Sequence, residues 1–186
     1  MKRRSLSRQP MKPAGSGGGM GTWTNMKGGE GGGAVFIDAS GQVSVVGAIT
    51  ANGGDGSGGA AGGGSGGSVY IHCGTFSGTG SIKANGNPAV FAPQGTGNGG
   101  GGRIAVVFTN LAAQAALSPT VAFDLGRGPV GSPGVGTLYF NSPAFYPTTT
   151  VAGSWALTIP GFTEWRPDSF TLNSGTVQFP AGFTFE

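Results

Sequence analysis

Gly33-Ala34-Val35-Phe36-Ile37-Asp38-Ala39 is followed, eight residues on, by Gly47-Ala48-Ile49-Thr50-Ala51-Asn52-Gly53. The pair then returns as Gly67-Ser68-Val69-Tyr70-Ile71-His72-Cys73 and Gly80-Ser81-Ile82-Lys83-Ala84-Asn85-Gly86. A third copy opens at Gly102-Arg103-Ile104-Ala105-Val106-Val107-Phe108, and a fourth at Gly136-Thr137-Leu138-Tyr139-Phe140. The residues after the leading glycines stand at 34, 68, 103 and 137, giving steps of 34, 35 and 34. A period in that range marks a stacked repeat, in which each unit buries its apolar face only against its neighbours. The short runs of Val, Ile, Phe, Thr and Tyr favour strands, and no stretch carries the period of a long amphipathic helix.

Glycine separates the strand-like runs. Of 41 glycines, 32 fall between Gly15 and Gly102, and ten of the fifteen residues from Gly53 to Gly67 are glycine. Such tracts admit two readings: flexible linkers, or extended chains packed side by side as in polyproline II, with no Cβ to hold the backbones apart. The joint recurrence of tract and strand favours the packed reading. Asn52-Gly53 and Asn85-Gly86, 33 residues apart, read as turn pairs. Stacked repeats would set Asn52 above Asn85 in an internal amide ladder, with Asp124 in a loosely similar place. Asn110 can cap a short helical turn from Leu111.

These signals divide the chain into a basic arm (residues 1–14), a glycine-rich repeat region (15–140) and a short-strand region (141–186) that continues the repeat. In the last, Trp155-Ala156-Leu157-Thr158-Ile159, Ser169-Phe170-Thr171-Leu172, Thr176-Val177-Gln178-Phe179 and Gly182-Phe183-Thr184-Phe185 read as separate strands. The expected fold is all-β: a parallel β-solenoid with polyproline- or polyglycine II-like packed tracts. The runner-up is a sandwich of glycine-linked hairpins.

The net charge of +3 is concentrated in the arm. Lys2, Arg3, Arg4, Arg8 and Lys12 stand there without an acid, and from residue 13 onward five bases face seven acids. A slightly acidic body does not suit nucleic acid. The single cysteine, Cys73, forms no intramolecular disulfide. No apolar run spans a membrane, and no signal-peptide core follows the basic residues. The unfinished strand pattern at residues 183–186 suggests a fragment of a larger protein.

Catalytic groupings are weak. His72 and Cys73 are neighbours on a strand, so they point to opposite faces and form no dyad. Glu164, Arg166 and Asp168 read as a turn ion-pair group rather than the facing carboxylates that glycoside hydrolysis needs. Asp55, between glycines, echoes calcium-binding repeats, but the other tracts lack the matching carboxylate. The expectation is therefore no enzyme, no cofactor and no metal. Trp23, Tyr70, Tyr139, Tyr146, Trp155 and Trp165 could stack on sugars, though most lie in strand runs.

The units Gly-Gly-Ser-Val-Tyr-Ile (66–71), Gly-Thr-Gly-Ser-Ile-Lys-Ala-Asn-Gly (78–86) and Gly-Gly-Gly-Gly-Arg-Ile-Ala-Val (99–106) resemble a pattern in large, uncharacterised microbial secreted or surface proteins with glycine-rich repeats. The likeness spans roughly residues 28–140. It implies export to the cell surface and a structural or adhesive role. The expected function is an extracellular structural subunit whose partners are copies of itself, joined head to tail into a fibre, sheath or layer. Open β edges would template each addition, with Gly17, Gly18, Gly19, Phe183 and Phe185 as the assembly residues. The alternative is an adhesin or glycan-binding module, ice binding being a variant that an array of threonines beyond Thr50, Thr79 and Thr137 would support.

Overall fold

The computed structural model describes residues 14–21, 26–57, 61–87, 97–117, 119–126, 134–143, 150–167 and 169–186. The basic residues of the arm, Trp23, Tyr146 and Asp168 lie outside them. The described residues form an all-β protein with parallel sheets. Among the described residues, thirteen strands and one five-residue helix follow one another in chain order.

The largest sheet has six strands: β1 (Ala34–Asp38), β4 (Ser68–Cys73), β7 (Arg103–Phe108), β9 (Gly136–Phe140), β10 (Thr150–Thr158) and β12 (Thr171–Gln178), in that spatial order. The four positions picked out by the sequence spacing are register partners, Ala34 beside Ser68, Ser68 beside Arg103 and Arg103 beside Thr137. A second sheet pairs β2 (Gln42–Val45) with β5 (Thr75–Gly78). A third orders β3 (Ala48–Thr50), β6 (Ser81–Lys83) and β8 (Ala122–Asp124). Every one of these pairings is parallel, which excludes a sandwich of hairpins, whose neighbours would be antiparallel.

Alternation along the strands sets the core. On β4, Val69, Ile71 and Cys73 are buried while Tyr70 and His72 are only half-buried. Ile104, Val106, Phe108, Leu138, Phe140 and Leu157 continue that inner face, meeting Phe76 and Ile82 from the smaller sheets. Burial of each such side chain contributes about 1.5–3 kcal/mol.

Two side-chain amides stand in for missing strands. After β5 the next repeat supplies the helix α1 (Leu111–Ala115), capped by Asn110 Oδ1 accepting from Ala113 N at 3.0 Å. From it, buried Gln114 accepts the Phe76 N–H through Oε1 at 2.6 Å and donates Nε2 to Phe76 O at 3.0 Å. This closes the edge of β5 as a peptide group would. Asn141 treats Phe108 likewise, accepting its N–H at 3.1 Å and donating to its C=O at 2.9 Å.

The second half departs from the sequence reading at β12 and at a short strand over Glu164–Trp165. Residues 169–172 and 176–179 were expected as two strands, but β12 runs through Asn173 and Gly175 as one. A register shift between Ala152 and Gly153 of β10 absorbs Ser174 as an extra residue, so Asn-Ser-Gly forms a bulge rather than a turn. Two further strands, β11 (Glu164–Trp165) and β13 (Thr184–Phe185), pair beside a satellite cluster of Trp165, Phe170, Phe179, Phe183 and Phe185.

The glycine tracts are ordered by backbone hydrogen bonds with a period of three. In residues 61–67, Gly62 and Ser65 donate to Gly19 O and Ser16 O. Gly63 and Gly66 donate to Gly97 O and Gly100 O, and Gly64 and Gly67 to Gly54 O and Ala51 O. Successive N–H groups thus address three different neighbouring chains, and each neighbour is met again three residues on. Three residues per turn is the geometry of an extended threefold helix. The absence of Cβ is what permits it: a Cβ on Gly64 would lie 1.9 Å from Glu30 O, and one on Gly99 would lie 1.9 Å from Gly64 O.

Candidate functional site

Asn52 and Asn85 meet where the third sheet runs into the glycine layer. Asn85 N–H donates to Asn52 Oδ1 at 2.9 Å, and Asn85 Nδ2 donates to Asp124 Oδ2 at 2.9 Å. Asp124 itself is the register partner of Lys83, two residues before Asn85, and reaches forward with its side chain. Facing its amide nitrogen to the carboxylate leaves Asn85 Oδ1 buried without a partner among the described residues. A parallel bridge joins Asn87 Nδ2 to Asp55 Oδ1 at 2.7 Å. Asp55, suggestive of calcium in the sequence, accepts this hydrogen bond at the exposed surface of the layer.

Gly53 and Gly86 are not turn glycines. Neither has a φ in the left-handed region, which the described chain uses at Gly78, Gly126, Gly161 and Gly182. Close approach requires them instead: a Cβ on Gly53 would lie 2.1 Å from Gly64 O, and one on Gly86 would lie 2.2 Å from Gly99 O. An Asn-Gly pair in an extended glycine tract carries no turn because the threefold hydrogen bonds already fix the backbone.

The residues expected to mediate assembly occupy different settings. Gly18 is turned inward, donating to Gly29 O, and a Cβ there would sit 2.2 Å from Gly62 O. Around Gly19 there is open space, and Gly17 has only an ordinary contact with Gly29 O. Phe183 packs within the satellite cluster, stacked on Phe179 at 4.4 Å, whereas Phe185 is 48% exposed. In the first repeat, β1, β2 and β3 are the edge strands of their sheets, beside exposed Phe36 (52%) and Val46 (72%).

The weaker candidates resolve into structural contacts. His72 Nδ1 lies 2.8 Å from Asp38 Oδ1 across β1 and β4, and Cys73 is fully buried on the other face. Burial pushes the Cys73 thiol up, against a smaller lowering from a hydrogen bond to the Val43 backbone. Arg166 pairs with Glu164 and also with Glu186 at 2.9 Å, a partner twenty residues away that spacing alone did not suggest. On the outer face of the main sheet, Phe36 and Tyr70 stack at 5.4 Å, and Ala105 separates Tyr70 from Tyr139. Burial, then Asp38 and Tyr139, raise the Tyr70 phenol. Thr137 has Arg103 as its register partner, and Thr50 has Lys83, so the threonines build no array.

Gln114 and Asn141 escaped the sequence reading. Their one usable signal is position: a lone amide just where a strand repeat ends or is replaced. Among the described residues, no three His, Cys, Asp or Glu side chains gather as a metal set, and no helix is long and apolar enough to cross a membrane. Comparison of the chain with family models, curated proteins and solved structures gives no match.

Proposed function

We propose that this chain is an extracellular structural subunit: a β-solenoid backed by a polyglycine II-like layer, which self-associates into a fibre, sheath or surface layer. The observation that carries this reading is that, among the described residues, one parallel sheet has two open edges, β1 at one side and β12 at the other, with Phe36 52% and Leu172 45% exposed. An open edge offers unpaired N–H and C=O groups to another chain, and a flat edge with exposed apolar residues is the form that pairs most readily. Placement outside the cell follows from the resemblance to secreted repeat proteins. Between units, the Asn52–Asn85–Asp124 contacts and the threefold glycine bonds serve to stiffen the scaffold. Sedimentation of the purified chain across a concentration series, followed by negative-stain microscopy, tests the reading. Filaments or sheets with a regular subunit rise support it, and a monodisperse monomer at high concentration overturns it.

A second reading, display of a glycan-binding face, draws on the stacked Phe36 and Tyr70 rings on the outer side of the main sheet. Aromatic faces on a rigid platform suit sugar rings. Binding on a glycan array that is lost in Tyr70→Ala would favour it.

A further inference from the structure

Three columns of glycine run across the repeats, and their first members stand where nothing requires them. The leading column is Gly33, Gly67, Gly102 and Gly136, tied by Ser68 N to Gly33 O, Arg103 N to Gly67 O and Thr137 N to Gly102 O at 2.9–3.0 Å. A second joins Gly74 N to Gly41 O at 2.7 Å, and a third joins Ser81 N, next to Gly80, to Gly47 O at 2.9 Å. In the second repeat the reason for glycine is plain. A Cβ on Gly67 would lie 1.9 Å from Gly33 O, on Gly74 2.7 Å from Ser40 O, and on Gly80 2.1 Å from Gly47 O. Each of these glycines makes room for the backbone of the preceding repeat.

The same three positions in the first repeat, Gly33, Gly41 and Gly47, would direct a Cβ into space with nothing within 4 Å. None has the left-handed φ that would demand glycine on conformational grounds. The ordering cost of glycine is therefore borne without any internal packing to require it. On the same side, parallel-strand alternation turns the N–H groups of Ala34, Phe36 and Asp38 away from β4, since Ala39 N–H and its alternates point toward it.

We propose that this edge is a receptor for one more backbone layer, and that its occupant is the β12 edge of a second copy of the chain. The proposal rests on the self-association reading above and names its surface. The choice of β12 follows from direction. Among the described residues, β1 and β12 are the two unpaired edges of one sheet whose pairings are all parallel, so simple translation brings them together in the same sense. A two-fold arrangement would instead set β1 against β1 in antiparallel, a pairing found nowhere among the described strands.

The test uses the full chain carrying Gly33→Ala, Gly41→Ala and Gly47→Ala together. The added methyl groups meet open space within one molecule, so the thermal midpoint stays the same or rises. Between molecules they occupy the position where, one repeat later, a Cβ would lie 1.9–2.7 Å from backbone. The expected result is a fall of at least tenfold in the association constant by sedimentation. Equal assembly of the triple variant and the natural chain overturns this edge while leaving self-association standing. A natural chain that never associates overturns both. Independently of folding effects, Phe36→Cys and Leu172→Cys molecules are mixed and treated with a short bismaleimide. Crosslinks between unlike molecules support the head-to-tail pairing, and links only between Phe36→Cys molecules overturn it in favour of a two-fold.

Discussion

Residues 61–67 and the strand Ser68–Cys73 adjoin in the chain, are both hydrogen-bonded to neighbouring segments (the strand to parallel ones, the tract to a parallel run at 97–100 and antiparallel runs at 16–19 and 51–54), and are packed by opposite means. The strand sends Val69, Ile71 and Cys73 into a side-chain core. The tract has no side chain larger than that of Ser65, yet all but that residue are buried. In a sheet, hydrogen bonds lie in one plane, and the next layer stands about 10 Å away because side chains intervene. In the tract, hydrogen bonds leave in three directions and the neighbours close to backbone contact on each. The energetics differ accordingly. Each glycine costs about 1–2 kcal/mol to order, while each net hydrogen bond returns about 0.5–1.5 kcal/mol. The layer is thus near balance by itself and depends on the apolar sheets to which every tract is spliced. The sheets have surplus stabilisation; the layer has almost no tolerance of volume.

The sharpest way to break that contrast is to add atoms to the layer. Gly64→Val places its Cβ 1.9 Å from Glu30 O, a backbone atom that cannot swing aside. We expect loss of the cooperative thermal transition, against the roughly 1–3 kcal/mol usual for overpacking a side-chain core. A soluble variant with a transition near that of the natural chain would show that the tract is loose. The converse deletion, Phe76→Ala, removes a fully buried ring from the sheets. It should lower stability by about 3–5 kcal/mol in denaturant titration while preserving the fold. If the deletion were the more damaging of the two, the ranking of layer and sheet would be reversed.

Next in size is the amide that closes the second sheet. Gln114→Leu keeps most of the volume but strands the Phe76 N–H and C=O, both bonded to that side chain in the native state. A cost of about 2–4 kcal/mol follows for two buried groups left unpaired. Gln114→Glu should do worse, since a carboxylate faces the Phe76 carbonyl in the place of an amide donor. A neutral Gln114→Leu would mean that the edge is closed by other contacts.

How much of this was legible beforehand follows from which force acts at each point. The register of β1, β4, β7 and β9 was readable because a period of about 34 residues is set by stacking alone. The order of the tracts could be argued but not their hydrogen-bond directions, since a run of glycines encodes no face. The Asn52–Asn85 contact could be found from its interval, whereas the reach of Asp124 from a different register position could not. Gly53 and Gly86 misled as turn residues because Asn-Gly reports local preference, and here a close neighbour supplies the reason for glycine. Gln114 was hidden by its setting in an alanine-rich turn: its partner is 38 residues away and is a backbone, which leaves no pattern in the sequence.

The smallest expected effect separates the two regions by pH. Residues 61–67 contain no titratable side chain, so the layer itself has no direct response. The strand beside it holds two groups whose proton affinity folding raises. Burial raises the Cys73 thiol, and burial together with Asp38 and Tyr139 raises the Tyr70 phenol. Both groups are neutral when protonated, and both hold the proton more tightly folded than unfolded. Their contribution is fully present below the unfolded values, about 8.5 for a thiol and about 10 for a phenol, and is lost as pH rises through the higher folded values. Thermal midpoints should therefore decline under alkaline conditions, thiol first. Cys73→Ala lowers the midpoint at every pH by leaving a small cavity, but it should flatten the onset of the decline, and Tyr70→Phe should flatten its later part. The slope, not the baseline, is the readout. An unchanged alkaline slope in both variants would place the pH response outside this strand and would remove the distinction between a titrating sheet and a silent glycine layer.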